Sequence, residues 1–316
     1  MLKVSEPLKL AVVGRGISYS KSPFIHTEFA KQLGLSVNYI RYDIAEQPEL
    51  KELTDEAAFQ KAIEYLRADG FYGCNITVPF KELAFRLANE TSASAKQAGA
   101  GNTFVFKRDR IYLDNVDGRG LIRDITQNIH YNLQGRDILI LGAGGAVRSI
   151  LGSVLAQHPH SIAITNRTLE KALELQKIFP SVQALAYSEL GGRRFDVVMD
   201  GTSLKLSDPW PLPDTVTLKK PSDALVYDLK YSAGKSSPVL IWGKKHHASQ
   251  LHEGIGMLVE QAAEGFYIWT GKKPRTQPVL EALKISAKEL IGFAGLVEIK
   301  GDINEPILGD FFDDLA

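Results

Sequence analysis

Gly142, Gly144 and Gly145 follow directly on 138–141, an unbroken apolar run, and lead into 146–157, where Ile150, Val154 and Leu155 recur at helical spacing. An apolar run of that length suits a strand buried on both faces, as in a parallel sheet covered by helices. Strand, glycine turn and helix start together make a place to hold a pyrophosphate. Glycine lets the backbone approach the phosphates, and unpaired N–H groups with the positive end of the helix dipole face the charge. Gly142, Ala143, Gly144, Gly145, Ala146 and Arg148 are therefore the expected phosphate-binding turn. An ordinary tight strand-to-helix turn is the plainer alternative. Val147 stands where the dinucleotide fingerprint has its third glycine, so helix and strand must pack differently there.

A second apolar strand is expected at 161–165, where the second strand of a dinucleotide fold should end, and it is followed by Asn166, Arg167 and Thr168, with Lys171 one helical turn on. Folds that bind NAD put a carboxylate there for the ribose 2′-hydroxyl. A carboxylate repels a 2′-phosphate, whereas a guanidinium and a hydroxyl hold it, so these residues point to NADP. Thr168 also suits the N-cap of the helix that follows, and the two tasks are compatible.

Other polar residues stand where packing alone does not ask for them. Pro79 can open a helix over 80–88, which places Lys81 in a first turn whose dipole is already positive. Such a lysine is either a solvated surface residue or one held for a task. Gly101-Asn102-Thr103 precedes a strand at 104–106 that pairs with 110–113, and Asp114-Asn-Val-Asp117-Gly118 then closes a domain, although Asn-rich and Asp-Gly segments are also ordinary turns.

The elements that must position these groups alternate strand and helix. Strands are expected at 8–13, 37–43 and 70–79, with helices after Ser22-Pro23 (apolar at Phe24, Ile25, Phe29 and Leu33, stopped by Gly34) and over 49–66. Ser22 before Pro23 reads as an N-cap and first-turn pair. Later come a helix over 121–129, strands at 184–187, 195–199 and 224–228, a proline-rich loop over 209–221, and helices over 238–245 and 254–270. In the last of these Met257, Leu258, Ala262 and Phe266 are spaced for burial.

The bulk properties are those of a soluble enzyme. The 316 residues suffice for two domains, and 37 Lys plus Arg against 37 Asp plus Glu give no electrostatic case for nucleic acid or an anionic membrane. Cys74 is the single cysteine, which rules out an internal disulfide and fits a reducing compartment. The first residues lack an apolar core of signal-peptide length, and no apolar run is long enough to span a bilayer, so the expected location is the cytoplasm. His246, His247 and His252 match no ligand spacing and no metal is expected.

The ordered motifs resemble the shikimate dehydrogenase family over nearly the whole chain, from about Leu8 to Leu283. They are Ser20-Lys-Ser22-Pro-Phe-Ile-His26, Asn75-Ile-Thr77-Val-Pro-Phe-Lys81-Glu82, Gly101-Asn102-Thr103 and Asp114-Asn-Val-Asp117-Gly118. Beyond these come the glycine turn with Arg148, then Asn166-Arg167-Thr168, Tyr227-Asp-Leu-Lys-Tyr231 and Gly254-Ile-Gly-Met257-Leu-Val-Glu-Gln261. The resemblance implies reversible, NADPH-dependent reduction of 3-dehydroshikimate to shikimate, with Lys81 and Asp117 as the catalytic pair. It implies that Ser20 and Ser22 hold the substrate carboxylate, that Asn75, Thr77, Asn102 and Gln261 take its hydroxyls, and that Tyr231 lines the same site. Thr202, Gly254 and Met257 are implied beside the cofactor.

The implied fold is α/β in two domains: a substrate-binding domain over 1–118, completed by returning helices at about 254–290, and a Rossmann-type, doubly wound NADP domain over 119–253. A cleft between them is expected to close over the substrate. The partners expected are the small-molecule substrate and cofactor alone, with the chain a monomer or homodimer.

The chain departs from the family pattern at several places. It has Gly14-Arg15-Gly16 for Gly-Asn-Pro, Tyr19 for a common histidine, and Gly101 and Val116 for the usual valine and threonine. Asp200-Gly201-Thr202-Ser203 replaces Asn-Ala-Thr-Ser, and the glycine expected near Leu204-Lys205 is missing. The acidic tail at 291–316 is outside the pattern and reads as a loosely docked end or a partner-binding segment. Rival readings are an NAD-dependent quinate and shikimate dehydrogenase, and a dinucleotide-binding module that has lost catalysis.

Overall fold

The computed structural model describes residues 6–205, 207–231 and 237–284. The acidic tail at 291–316 lies outside the described residues. The chain divides into two compact units, Met1–Val116 with Ala262–Ala316, and Asp117–Gln261. The unit boundary falls at 116/117 and at 261/262, so Asp117 and Gln261 both count with the second unit.

In the first unit the order is β1 (Leu8–Gly14), α1 (Ser22–Leu33), β2 (Val37–Asp43), α2 (Asp55–Ala68), β3 (Gly73–Ile76), α3 (Lys81–Leu87), β4 (Glu90–Thr91), α4 (Ala93–Ala98), β5 (Thr103–Phe106) and β6 (Ile111–Asp114). These strands form one six-stranded sheet ordered β2-β1-β3-β5-β6-β4. The β2-β1-β3 half is parallel, and β5 runs antiparallel to both β3 and β6. One face of the sheet buries Ala11, Val13 and Ile76 against Phe59, Ile63 and Phe80.

Three local expectations are corrected. Ser22 is not the N-cap: Lys21 holds that position without a side-chain cap, and Ser22 is the first helical residue. Phe24 is 42% exposed, since Ile25 and Phe29 supply the buried stripe of α1. Helix α2 starts at Asp55 rather than 49, because the Thr54 hydroxyl accepts from Ala57 N and fixes the start there. Gly34 ends α1 in the left-handed region at φ 61°, its N–H returned to Ala30 O and Lys31 O.

The second unit runs α5 (Asp117–Arg123), continued by a π turn at Asp124–Asn128, then β7 (Asp137–Leu141), α6 (Gly145–Leu155), β8 (Ser161–Thr165), α7 (Leu169–Ile178), β9 (Val182–Leu185), β10 (Arg194–Phe195), β11 (Val197–Asp200), β12 (Thr217–Leu218), β13 (Leu225–Asp228), α8 (Pro238–Lys245), β14 (Gln250–Glu253) and α9 (Ile255–Thr270). Helix α9 crosses the unit boundary at 261/262, and a last helix, α10, covers 277–284 of the described residues in the first unit. The sheet order β14-β13-β11-β7-β8-β9 is parallel throughout, which is the doubly wound Rossmann arrangement.

Here too the boundaries shift. Helix α5 begins at Asp117 rather than 121, since Gly118 and Gly120 pass too close to Ser153 and Gln261 for a side chain. The strand expected at 184–187 is β9, which ends at Leu185, and Tyr187 starts a short 3-10 turn. The strand expected at 195–199 is two strands: Asp196 separates them, its carboxylate accepting from Asp137 N at 2.9 Å, and β10 pairs with β12 in a small sheet of its own. Strand β14, with polar residues in three of its four positions, gives no apolar signal, yet it extends the sheet at its edge beside β13.

The place of the missing third glycine is explained by packing. Val147 is fully buried, and a Cβ at Gly201 would stand 2.5 Å from its Cγ2, so the absent side chain at Gly201 makes the room that Val147 fills. Gly201→Ala should therefore cost about 1–3 kcal/mol by overpacking. Urea denaturation of Gly201→Ala, Val147→Ala and the double variant checks this: the double should be more stable than the sum of the singles, and simple additivity would sink the pairing.

Asp137, at the start of β7, accepts from His160 Nδ1 at 2.6 Å, and also from the Ser161 hydroxyl and the Lys219 ammonium. Burial alone would raise its pKa, but the bonds to Lys219, Ser161 and His160 outweigh that and lower it from 3.8 to about 2. The resulting stability is fully present above 3.8 and lost as the pH falls through about 2. Asp137→Asn should cost about 1–2 kcal/mol near neutral pH, after allowing for solvent screening, and should flatten the acid limb between pH 4 and 2. Melting temperatures recorded over that range test it, and an unchanged acid limb would refute it.

Candidate active site

In the first unit the polar residues gather after the C-terminal ends of β1 and β3. Gly14 ends β1, and a Cβ there would meet Ile17 at 2.6 Å and Thr77 at 2.7 Å. The loop that follows is pinned by Asp43, buried at the end of β2, whose carboxylate accepts from Gly16 N at 2.8 Å, Ile17 N at 2.6 Å and Ala45 N at 3.0 Å. Arg15, one of the departures, anchors the same loop through Lys51 O at 3.1 Å and Asp55 at 2.9 Å. Tyr19, another, lies at the surface. Ser20 thus sits on a braced loop, and its hydroxyl accepts from Ser22 N at 3.4 Å. Sequence reasoning missed Asp43; its signal was a carboxylate ending a strand beside a Gly-X-Gly turn.

Asn75 is buried in β3 and all of its hydrogen-bonding capacity is used inside the protein. Its Oδ1 accepts from the Tyr39 phenol at 2.7 Å and lies 3.1 Å from His26 Nε2, while Nδ2 donates to Asn102 O at 3.2 Å and Thr103 Oγ1 at 3.3 Å. Burial lowers the pKa of His26 to about 3, against the raising effect of its bond to Asn75, so the ring is neutral.

Lys81 is the first residue of α3 and is half-buried. Phe80 N bonds back to Thr77 O at 2.9 Å, and Lys81 O accepts from Gly101 N at 3.0 Å, which ties the lysine to the loop carrying Asn102. Ile76 N donates to Asn102 O at 2.8 Å, and Val116 N to Asn102 Oδ1 at 3.0 Å. Gly101 stands where Leu113 fills the space, 2.5 Å from where a Cβ would lie. Ser20, Ser22, Asn75, Thr77, Lys81 and Asn102 are therefore brought to one end of one sheet. Asp117, Tyr231 and Gln261 fall in the second unit: Asp117 buried in the first turn of α5, and Gln261 in α9 with Nε2 donating to Leu258 O at 3.0 Å.

In that unit the glycine turn leaves β7 as expected. Gly142 has φ 102° and presses on the backbone of Gly201, while Gly144 caps α6 and a Cβ at Gly144 or Gly145 would meet nothing within 4 Å. The turn is thus an open cradle at a helix N-terminus, which fits a pyrophosphate. Beyond β8, Asn166 Nδ2 closes a turn on Thr168 O at 2.9 Å, and Arg167, Thr168 and Lys171 are exposed. Thr168 occupies the N-cap of α7 but its hydroxyl makes no capping bond. No carboxylate ends β8, so the rim suits a 2′-phosphate.

Asp200 holds the departing loop through one carboxylate oxygen, and its Oδ2 has no hydrogen-bond partner among the described residues. Asp200 ends β11 fully buried, and its Oδ1 accepts from Thr202 N at 2.8 Å. Lys230 Nζ lies 4.0 Å from Oδ2 and donates to Leu204 O at 3.0 Å. Leu204 and Lys205 have ordinary negative φ, so the loop does without the glycine. Burial raises the pKa of Asp200, and neighbouring Asp228 adds to the rise. Gly254 passes against Leu229 O too closely for a side chain, and Met257 is buried one turn into α9. His246 stacks on Trp242 with ring centres 4.4 Å apart.

Three family models match in order: a shikimate dehydrogenase substrate binding domain over 12–104, a shikimate/quinate 5-dehydrogenase over 124–207, and a shikimate 5′-dehydrogenase C-terminal domain over 254–284. A Chromobacterium violaceum protein named shikimate dehydrogenase (NADP(+)) is 43% identical over 87% of this chain and 97% of its own. One of the same name from Laribacter hongkongensis is 42% identical over 87% and 97%. Among solved structures, an Ael1 enzyme from Pseudomonas putida aligns with TM-score 0.75 at 37% identity, covering 87% of this chain and 97% of that one. Shikimate dehydrogenase from Aquifex aeolicus aligns with TM-score 0.75 at 29% identity over 90% and 99%. With the three models in sequence order and relatives matched over nearly their whole length, the chain belongs to the shikimate dehydrogenase family.

Proposed function

We propose that this protein is an NADP-dependent shikimate dehydrogenase, reducing the ketone of 3-dehydroshikimate to the alcohol of shikimate and running the reverse oxidation. The observation that carries the reading is Lys81 held at the start of α3 within the polar set of one sheet end, in a chain whose β8 is followed by Arg167 rather than a carboxylate. The relatives named above carry NADP in their names, and a Thermus thermophilus relative, 26% identical with TM-score 0.73, has been solved with NADP(H) and shikimate.

The bound dinucleotide supplies the hydride. The work of the chain is to hold both reactants and to manage one proton. Hydride arrival at the carbonyl carbon leaves negative charge on oxygen; the Lys81 ammonium stabilises that charge and gives it a proton, leaving a neutral amine that solvent reprotonates. Asp117 orients the ammonium. Ser20 and Ser22 take the substrate carboxylate, and Thr77, Asn102 and Gln261 take hydroxyls, with Tyr231 lining the site. On the cofactor side, Gly142, Ala143, Gly144, Gly145 and Ala146 cradle the pyrophosphate with Arg148. Arg167, Thr168 and Lys171 hold the 2′-phosphate beside Asn166, and Thr202, Gly254 and Met257 approach the nicotinamide. The buried thiol of Cys74 accords with a reducing, cytoplasmic setting.

Initial rates of shikimate oxidation with NADP and NAD, with quinate as second substrate, test the reading. Turnover of shikimate with NADP is expected, falling about 100-fold or more in Lys81→Ala. Preference for quinate or NAD would move the protein to the sister activity, and cofactor binding without turnover would favour a silent module. Arg167→Ala should raise KM for NADP about ten-fold or more while leaving KM for shikimate in place. An unchanged KM for NADP would remove Arg167 from the cofactor site.

A further inference from the structure

The buried hydrogen bonds behind Asn102 have only one consistent set of proton directions. Asn102 O already accepts from Ile76 N at 2.8 Å, and a backbone carbonyl cannot donate, so the group of Asn75 facing it at 3.2 Å must be the amide nitrogen. The Asn75 oxygen is thereby turned toward Tyr39 and His26, and both must donate to it: the phenol through its only proton, and His26 as its Nε2–H tautomer. Thr103 Oγ1 accepts from Asn75 Nδ2 at 3.3 Å, and its one proton is given to Asn102 Oδ1, also at 3.3 Å. Val116 N donates to the same oxygen at 3.0 Å. With two donors on Oδ1, the carboxamide of Asn102 must present its NH2 group in the other direction.

Packing keeps this chain of bonds dry and still. His26 stacks on Tyr39 with centroids 4.2 Å apart and planes 8° from parallel, and Phe266 and Trp269 close over the ring at 5.9 and 5.4 Å. Gly265 of α9 lets the helix lie directly on the relay: a Cβ there would stand 3.4 Å from Asn75 Nδ2 and 3.6 Å from Thr103 Oγ1. Every member is buried.

We infer that His26, Tyr39, Asn75 and Thr103 are positioning residues, a one-way hydrogen-bond relay that sets the polarity of the Asn102 amide so that it meets the substrate as a donor to a hydroxyl oxygen. The inference rests on Asn102 being a substrate contact, and it gives Asn75 a supporting role behind that contact. None of the four need touch the substrate for its loss to be felt at the site.

Thr103→Val removes the hydroxyl at nearly constant shape, and Thr103→Ser keeps it. Calorimetric titration of the full-length protein with shikimate, and separately with NADP, reads the difference. Thr103→Val should weaken shikimate binding about ten-fold with NADP binding unchanged, while Thr103→Ser stays within about two-fold of the original. Asn102→Ala should weaken shikimate binding by itself, and adding Thr103→Val should then cost nothing more. Equal losses in the Val and Ser variants, parallel losses for shikimate and NADP, or a double variant that loses the full sum would overturn the relay. Shikimate binding untouched by Asn102→Ala would overturn the substrate assignment beneath it, and the relay with it. Should Thr103→Val not fold, Tyr39→Phe interrupts the same chain two bonds earlier and keeps the stacked ring. It too should weaken shikimate selectively, and binding equal to the original protein's would refute the proposal.

Discussion

A strand in a parallel sheet must turn away at its carboxyl end, and in both units the groups with chemical potential stand where that turn is sharpest. Strand β1 ends at Gly14, pressed against Ile17 and Thr77; β7 ends at Gly142, pressed against Gly201; and Gly254, just past β14, is pressed against Leu229. At Gly142 and Gly254 backbone passes backbone, at Gly14 side chains close on the strand end, and each position has no room for a Cβ. Several polar residues of the candidate site stand just past strand ends: Ser20 beyond β1, Thr77 and Lys81 beyond β3, the phosphate cradle beyond β7 and Thr202 beyond β11. The sheets supply stiffness, and the glycine contacts decide how near the loops approach one another.

Much of this could be read from the chain before its structure. The apolar runs at 138–141 and 161–165 coincide with β7 and β8, because strands buried in a parallel sheet have little choice of side chain. The glycine turn and the position of Lys81 were legible for a related reason: glycine and a first-turn lysine are locally unusual. What escaped were features set by distant residues. Leu50 is fully buried and looks helical, yet the Thr54 cap starts α2 beyond it. Asp196 splits a run of apolar residues because its partner, Asp137 N, lies 59 positions away. Asn75 is a ligand by resemblance, and only the arrangement of Tyr39, His26, Asn102 and Thr103 around it shows the bonds it makes inside the protein.

Both units take carboxylates inside beside neutral groups. In the first, the cluster behind Asn102 is neutral, with His26 kept uncharged by burial, while the buried Asp43 carboxylate pins the loop after β1 through peptide N–H groups. In the second, carboxylates are taken inside: Asp124 against the Tyr227 phenol at 2.7 Å, and Asp200 and Asp228 paired across β11 and β13, with burial raising all three. Their cost is met by peptide N–H groups at the loop starts, Thr202 N on Asp200 and Lys230 N on Asp228, so the carboxylates act as fasteners for the loops that follow.

The exposed rim beyond β8 has a different kind of consequence. Arg167, Thr168 and Lys171 face solvent, while Ala172 and Leu175 of the same helix carry the packing. On the proposed reading, preference between two cofactors that differ by one phosphate is written on side chains that support none of the core. A lineage carrying this fold is free to revise which nucleotide it uses by surface substitution alone, without first accumulating stability to spend on the change.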